Sequence, residues 1–222
     1  MPVRYCPALC LMAATLCCLL SYAGQAQQLD THLLPARTAL STYTSGAQYY
    51  TEIRKVLGAG LSDYALAQVV VLPSFEPEYI LSIEAQKDRY LLLFNTGQQS
   101  VHKVLSAKNG EKVVVHSRQV EISKELATAL AHLWNTAIQQ VRYPAPVTSI
   151  RTDGARFVFI TFQAGVGERS GETWSPVAGS KMSLLTGIAT DLKQLALTPQ
   201  DNELQQQLLR HAKLLDKQLQ AP

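Results

Sequence analysis

The sequence predicts an α+β protein in which an antiparallel sheet, built from a meander and two hairpins, packs against three to four helices and the chain ends in a helical hairpin. Three observations predict this class. Short apolar or alternating segments follow one another between residues 67 and 94. An Asn-Gly and an Asp-Gly pair separate further segments of the same kind. Longer segments with apolar side chains at helical spacing lie before, between and after them.

The first helix is predicted over residues 46–57, where apolar side chains recur at helical spacing and glycines follow. Three successive strands are predicted next. They are residues 67–72, 78–84 and 89–94, each an apolar or alternating run bounded by polar turns. Together these strands form the predicted meander.

Two hairpins complete the predicted sheet. Asn109-Gly110 separates residues 100–106 from residues 111–120, and Asn-Gly readily adopts the left-handed backbone of a two-residue turn. The second hairpin has Asp-Gly at positions 153 and 154, between residues 147–151 and a Phe-rich strand over residues 155–162. We expect this Phe-rich strand to lie centrally in the sheet.

Three helices are predicted in the second half of the chain. Ser123 has the residue type of an N-cap, and residues 124–142 carry one apolar stripe that ends before prolines. Ser180 precedes a second helix to about residue 195, and Thr198-Pro opens a third over residues 199–220. The last two helices form the predicted hairpin.

The last helix has two interpretations. Its stripe consists of Leu204, Leu208, His211, Leu215 and Leu219, spaced by four, three, four and four. The stripe either packs on the domain, beside the preceding helix, or forms a homodimer interface. We favour packing on the domain, because the pattern is short and lacks a clear charge code.

Residues 1–26 have the organisation of a cleavable secretory signal peptide. A short n-region with Arg4 precedes an apolar run at residues 8–20, and small residues lead to Ala26, after which we expect cleavage. The alternative is an uncleaved membrane anchor, because the length of this segment is close to the length of about 20 residues that spans a bilayer. The sequence therefore predicts a periplasmic or secreted protein, which contacts the membrane only if the signal peptide is retained.

Cysteine positions constrain the chemistry of the mature chain. The four cysteines are Cys6, Cys10, Cys17 and Cys18, all inside the predicted signal peptide. Disulfides, thiolate nucleophiles and Cys-ligated metals are therefore not expected. We expect residues 27–198 to form one α+β domain and residues 199–222 to form an amphipathic helix packed on it.

Charge does not indicate a nucleic-acid partner. Removal of Arg4 leaves 19 Lys and Arg against 17 Asp and Glu, a net charge of +2 without a run of five like charges. A nucleic-acid surface is typically built from clustered basic residues. We therefore expect no nucleic acid among the partners.

The search for catalytic and cofactor motifs is negative. The sequence contains no Gly-x-Ser-x-Gly elbow, His-Glu-x-x-His helix, phosphate loop or dinucleotide fingerprint. His102 and His116 lie on the two arms of the predicted Asn-Gly hairpin, where a surface metal site is conceivable but solvent-facing histidines are expected. The sequence therefore predicts no catalytic residue, no cofactor and no metal.

One segment is a candidate recognition loop. Residues 163–179 make a long connection with several glycines, and it carries Glu168, Arg169, Glu172 and Trp174. Trp and Arg are enriched at binding hot spots, so these four residues are the candidate binding site. The alternative is that Trp174 folds back on the core.

These observations favour a non-catalytic binding protein of the cell envelope, of the inhibitor, immunity or accessory type, with a protein partner. The alternative is a small extracytoplasmic hydrolase whose Ser, His and carboxylate groups meet only in the fold. A deep pocket that joins a histidine to a carboxylate or serine favours the hydrolase. A convex surface with exposed aromatic side chains favours binding.

Overall fold

The computed structural model describes residues 30–36, 45–107, 112–143 and 153–221. The predicted signal peptide lies outside these ranges. The strands are β1 (Leu34–Pro35), β2 (Ala67–Pro73), β3 (Tyr79–Gln86), β4 (Arg89–Gly97), β5 (Val115–Ile122), β6 (Ala155–Gln163) and β7 (Gly167–Trp174). The helices are α1 (Ser45–Leu57), α2 (Val101–Ala107), α3 (Lys124–Gln139), α4 (Lys181–Leu197) and α5 (Asn202–Gln220).

The seven strands form one sheet in the order β1-β7-β6-β2-β3-β4-β5, and every neighbouring pair is antiparallel. Strands β2 to β5 form a meander. Strands β6 and β7 form a hairpin that joins the sheet on the other side of β2. The predicted α+β class with an antiparallel sheet is confirmed.

One face of the sheet packs against α3, α4 and α5, and we call it the three-helix face. Alternate strand residues such as Val69, Leu81 and Phe159 point into this core. Ser123 caps helix α3, and its hydroxyl accepts a hydrogen bond from the Leu126 amide at 3.1 Å. Its predicted apolar stripe is buried, with Trp134 1% exposed.

The opposite face packs against α1 and α2, and we call it the α1 face. Ile53 and Leu57 of α1 contact a second apolar cluster that contains Val70, Ile80 and Ile160. The molecule therefore has three layers, with the sheet between a three-helix layer and a smaller layer of two helices. Residues on the two faces alternate along each strand, as the pleat requires.

Residues Val101–Ala107 form helix α2, so the first arm of the predicted Asn-Gly hairpin is a helix and not a strand. The physical reason is the buried carboxylate of Glu78, which accepts hydrogen bonds from the first amides of this helix. Strand β5 pairs with β4 instead. The Asn109-Gly110 turn lies outside the described residues.

The region of the second predicted hairpin contains one strand that the sequence predicts and one that it does not. The Phe-rich segment is strand β6, in the interior of the sheet as expected, while its predicted partner over residues 147–151 lies outside the described residues. Within the predicted loop 163–179, residues 167–174 form strand β7, which pairs with β6. A strand this polar and rich in glycine lacks the apolar pattern from which strands are usually predicted.

The C-terminal helices α4 and α5 lie side by side, as predicted. Leu208, Leu215 and Leu219 of α5 are buried in the three-helix core, so this stripe packs within its own chain. The Lys181 ammonium donates a hydrogen bond to the Gln218 carbonyl at 2.7 Å and ties the two helices together. A homodimer through α5 stays a prediction. In the described part of the chain, the helices are too short or too polar to cross a membrane.

Candidate functional site

A small groove lies on the α1 face, between the C-terminal end of α1 and the β6–β7 hairpin. We call it the α1–β7 groove. Its floor contains Gln68, Ile80 and Ile160, and its volume is about 70 Å³. Arg54, Asp63, Phe162 and Glu168 form its rim. The groove therefore combines two isoleucine side chains with polar groups on its floor, and its rim is charged and aromatic.

An ion pair closes one side of the groove. The Arg54 guanidinium donates two hydrogen bonds to the Glu168 carboxylate, with Nη2–Oε2 at 2.6 Å and Nη1–Oε1 at 3.3 Å. The side chains are 56% and 38% exposed. Glu168 lies opposite Phe162 in the β6–β7 register, so the carboxylate and the ring are neighbours on the α1 face.

The end of α1 is fixed by two features that place Arg54. Gly58 donates its amide to the Arg54 carbonyl at 2.9 Å, and a Cβ at position 58 would lie 2.3 Å from that oxygen. The buried Asn95 side chain donates to the Leu57 carbonyl at 2.8 Å. These contacts satisfy carbonyls that the last turn of a helix leaves free.

The loop after α1 is held by a buried carboxylate. Glu84 accepts hydrogen bonds from the Ser62 amide at 2.8 Å and from the Ser82 hydroxyl at 2.9 Å. Ser62 in turn accepts the Tyr64 amide at 3.1 Å. This chain of contacts holds Asp63 and Tyr64 beside the groove.

Tyr64 and Phe162 form an exposed aromatic pair at the rim. Their ring centroids lie 4.8 Å apart at an angle of 85°, in an edge-to-face arrangement. Tyr64 is 71% exposed and Phe162 is 37% exposed. Val166, in the β6–β7 turn, is another large apolar side chain exposed at the same end of the hairpin. These two edge-to-face, solvent-facing rings form the apolar part of the rim.

The four predicted binding residues are all on β7, but the structure does not gather them at one point. Glu168 reaches the groove, whereas Arg169 pairs with Thr161 on the three-helix face. Glu172 is buried. Trp174 stacks on the Arg156 guanidinium at 5.2 Å, and about 20 Å of extended strand separates it from Glu168.

The Arg156 guanidinium lies between two aromatic rings. It is 5.2 Å from the Trp174 ring centroid and 5.7 Å from that of Tyr50, whose hydroxyl also accepts its hydrogen bond. The cluster joins α1 to strands β6 and β7. Trp174 therefore contributes to the packing of α1 on the sheet, which is close to the alternative interpretation in which it folds back on the core.

Arg54, Tyr64 and Phe162 are groove residues that the sequence did not indicate. For Phe162 the sequence predicts a strand but no rim position. Arg54 is one polar residue of a predicted helix, and the sequence predicts no helix or strand at Tyr64. Since Arg54 and Glu168 are 114 positions apart, local patterns contain no signal for their pairing.

A second polar cluster surrounds Glu78. Its carboxylate, 1% exposed, accepts hydrogen bonds from the Tyr49 hydroxyl, the Ser100 hydroxyl and the amides of Val101 and His102. Burial and then the Glu78 charge raise the pKa of Tyr49, which keeps its hydroxyl protonated as a donor. The cluster anchors α2 and α1 to the sheet.

The histidines are distributed over different elements. His102 lies on α2 with its ring 5.7 Å from that of Tyr49, and His116 lies on β5 opposite Thr96. His132 on α3 contacts Asp216 on α5, with Nδ1–Oδ1 at 3.0 Å. Among residues 30–36, 45–107, 112–143 and 153–221, His, Cys, Asp and Glu form no group of three or more that could hold a metal ion.

Comparisons of the chain with protein-family models, with curated proteins and with solved structures give no significant match.

Proposed function

We propose that this chain is an exported, non-catalytic binding protein of the cell envelope, of the inhibitor, immunity or accessory type, and that it binds a protein partner through the α1–β7 groove. The observation that carries the proposal is the exposed pair of Tyr64 and Phe162 beside a shallow groove. Aromatic side chains are enriched in protein interfaces, where they supply large contact areas at low entropic cost.

The size of the groove supports a protein partner. Sites that enclose a small molecule have volumes of about 300–1,000 Å³. The groove has about 70 Å³, enough for one side chain from a partner but not for a buried substrate. The exposed Val166 extends the apolar surface beyond the groove, so a larger partner gains contacts that a small ligand cannot reach.

The proposed localisation is based on the N-terminal sequence. Its short basic n-region, apolar run and small residues support export. We expect N-terminal sequencing to show that the chain recovered from the cell envelope begins at Gln27. A chain that begins at Met1 would contradict cleavage and indicate a membrane-tethered protein.

The binding proposal is tested by capture from an envelope extract. The full chain, expressed with its own N-terminal segment and a C-terminal tag, carries Y64A and F162A in one variant and F75A and Y143A in a matched control. Phe75 and Tyr143 are exposed by 77% and 86%, so both variants remove two exposed rings. We expect the first variant to lose a partner that the control retains. Equal capture by both variants, or none by the unmodified chain, would refute the proposal.

One observation favours the alternative of a small hydrolase. The Asp216 carboxylate contacts His132 in the arrangement that orients a catalytic imidazole, and Thr128 and Lys213 line the same open depression. The Thr136 hydroxyl also donates to Asp216 at 2.7 Å, as in a structural link between helices. Hydrolysis of p-nitrophenyl acetate that is abolished by His132→Ala would support the hydrolase. Equal background rates in the unmodified chain and in His132→Ala would argue against the hydrolase.

A further inference from the structure

We infer that the α1–β7 groove receives a basic side chain, Lys or Arg, from the protein partner, that Glu168 is its anionic contact, and that Arg54 occupies this carboxylate in the free protein as an internal competitor. The inference rests on the proposed function and names the chemistry of the partner.

The charges at the rim favour a cation. Asp63 and Glu168 contribute two carboxylates and Arg54 one guanidinium, so the charged side chains lining this groove have a net charge of −1. A partner cation that displaces Arg54 from Glu168 takes its place as the positive charge paired with the carboxylate. A partner anion at Arg54 would lie beside two carboxylates, which is unfavourable.

The aromatic pair favours the same group. A cation within about 6 Å of a ring centroid is attracted by the negative face of the ring. Tyr64 is mostly exposed and lies next to Asp63 in the chain, so the stem of a Lys or Arg can cover the ring while its charged end reaches a carboxylate. A rim of rings and carboxylates thus accepts both parts of a long basic side chain.

The Glu168 carboxylate is exposed at the surface and open to exchange of its partner, unlike the buried carboxylates Glu78 and Glu84 on the same face. Glu78 and Glu84 are 1% and 5% exposed and accept backbone amides, so their hydrogen bonds belong to the fold. Glu168 is paired through side chains at the surface. Exposed ion pairs contribute little to stability, so a partner cation can replace Arg54 at a small cost in free energy.

The inference is tested by NMR titration of the isotope-labelled full chain with short capped peptides. The probes are acetyl-Gly-Ala-X-Ala-Gly-amide with Lys, Arg, norleucine or Glu at X, each at millimolar concentration. We expect the Lys and Arg peptides to shift the amide signals of Tyr64, Phe162 and Glu168. Norleucine has a similar apolar stem without the charge, and we expect it to leave these signals in place.

Two substitutions separate competition from a purely structural role. Glu168→Gln is expected to weaken binding of the Lys peptide about two- to five-fold. Arg54→Gln is expected to strengthen its binding by a similar factor, because the Glu168 carboxylate becomes available. If the ion pair were purely structural, its loss would change the affinity for the Lys peptide in the same direction in both variants. Lys55→Gln is the matched control, since Lys55 is on the same helix, 72% exposed, and its loss changes the net charge equally.

Three outcomes overturn the inference. These are equal shifts with the norleucine peptide, weaker Lys binding in Arg54→Gln, and a Lys55→Gln effect as large as that of Arg54→Gln. If such a result occurs while Y64A and F162A still abolish capture of the partner, the binding function stands and only the chemistry of the partner is wrong. If opposite effects of Glu168→Gln and Arg54→Gln are found but capture is unaffected, the inference is supported and the proposed binding function fails.

Discussion

Arg54 of α1 and Glu168 of β7 are joined by two hydrogen bonds at 2.6 and 3.3 Å, although 114 positions separate them in the sequence. The pair links the smaller helical layer to a strand near the edge of the sheet. It also forms one side of the α1–β7 groove. Its contribution to folding and its contribution to binding can therefore be measured separately.

The first prediction concerns the folding contribution of this pair. A double-mutant cycle of Arg54→Ala and Glu168→Ala is expected to give a coupling energy of about 0.2–1 kcal/mol, because both side chains are exposed to water and salt. The measurement is the free energy of unfolding in urea. The pair of exposed Lys55 and half-buried Glu52, with its N–O distance of 3.5 Å, serves as the reference cycle. A coupling above about 2 kcal/mol would mean that Arg54 is not exchangeable, contrary to its role as a competitor.

The second prediction concerns Glu78. Glu78→Ala leaves the buried amide of Val101 and the part-buried amide of His102 without their carboxylate and is expected to lower the free energy of unfolding by about 3 kcal/mol. Glu76→Ala is the control, because Glu76 lies nearby but its side chain is 70% exposed. Urea denaturation measures both. If the two variants lose similar stability, Glu78 does not hold α2 in place.

Local patterns were sufficient for the helices of the larger layer. The periodic leucines and the Ser123 cap of α3 lie close together in the sequence, so its prediction needs no tertiary information. The prediction of the Phe-rich strand β6 is also confirmed, because a strand buried on both faces is apolar along its length. These elements carry the information for their own structure.

Helix α2 and strand β7 could not be predicted in this way. The segment Val101–Ala107 contains β-branched residues and becomes a helix because Glu78, more than twenty positions earlier, accepts its first amides. Strand β7 is polar, and Gly171 is required where a Cβ would lie 2.7 Å from Val141 and 2.9 Å from Leu33. Both depend on contacts between distant residues. The groove depends on such contacts too, which explains why only Glu168 of the four predicted binding residues lies there.

The third prediction concerns Trp134, one of two tryptophans in the chain. Its indole donates to the Gln68 carbonyl at 3.1 Å, and its ring lies 5.1 Å from that of Phe159. Trp134→Phe is expected to lower the free energy of unfolding by about 2 kcal/mol, because it leaves a small cavity and removes the hydrogen bond of the indole. It should also remove the blue-shifted part of the fluorescence. Trp174→Phe is the control, and a larger blue-shifted loss in that variant would contradict the burial of Trp134.

The fourth prediction concerns the pH dependence of stability. Burial, and secondarily the positive charge of Arg142, lower the pKa of His32 below its usual 6.5. On acidification the unfolded chain therefore takes up this proton at about pH 6.5, before the folded chain does. In that window the unfolded state binds more protons, so the free energy of unfolding rises with pH and falls as the solution becomes more acidic.

His32→Gln is expected to remove this part of the pH dependence. The measurement is urea denaturation at several values between about pH 5 and about pH 7.5, which brackets the ordinary titration of histidine. Since the Arg142 amide donates to the Leu33 carbonyl at 3.1 Å, the substitution leaves the backbone contact between these segments in place. His116→Gln, on the exposed strand β5, controls for the loss of an imidazole. If the slope below about pH 6.5 is the same in His32→Gln and the unmodified chain, burial of His32 does not control the acid sensitivity of the fold.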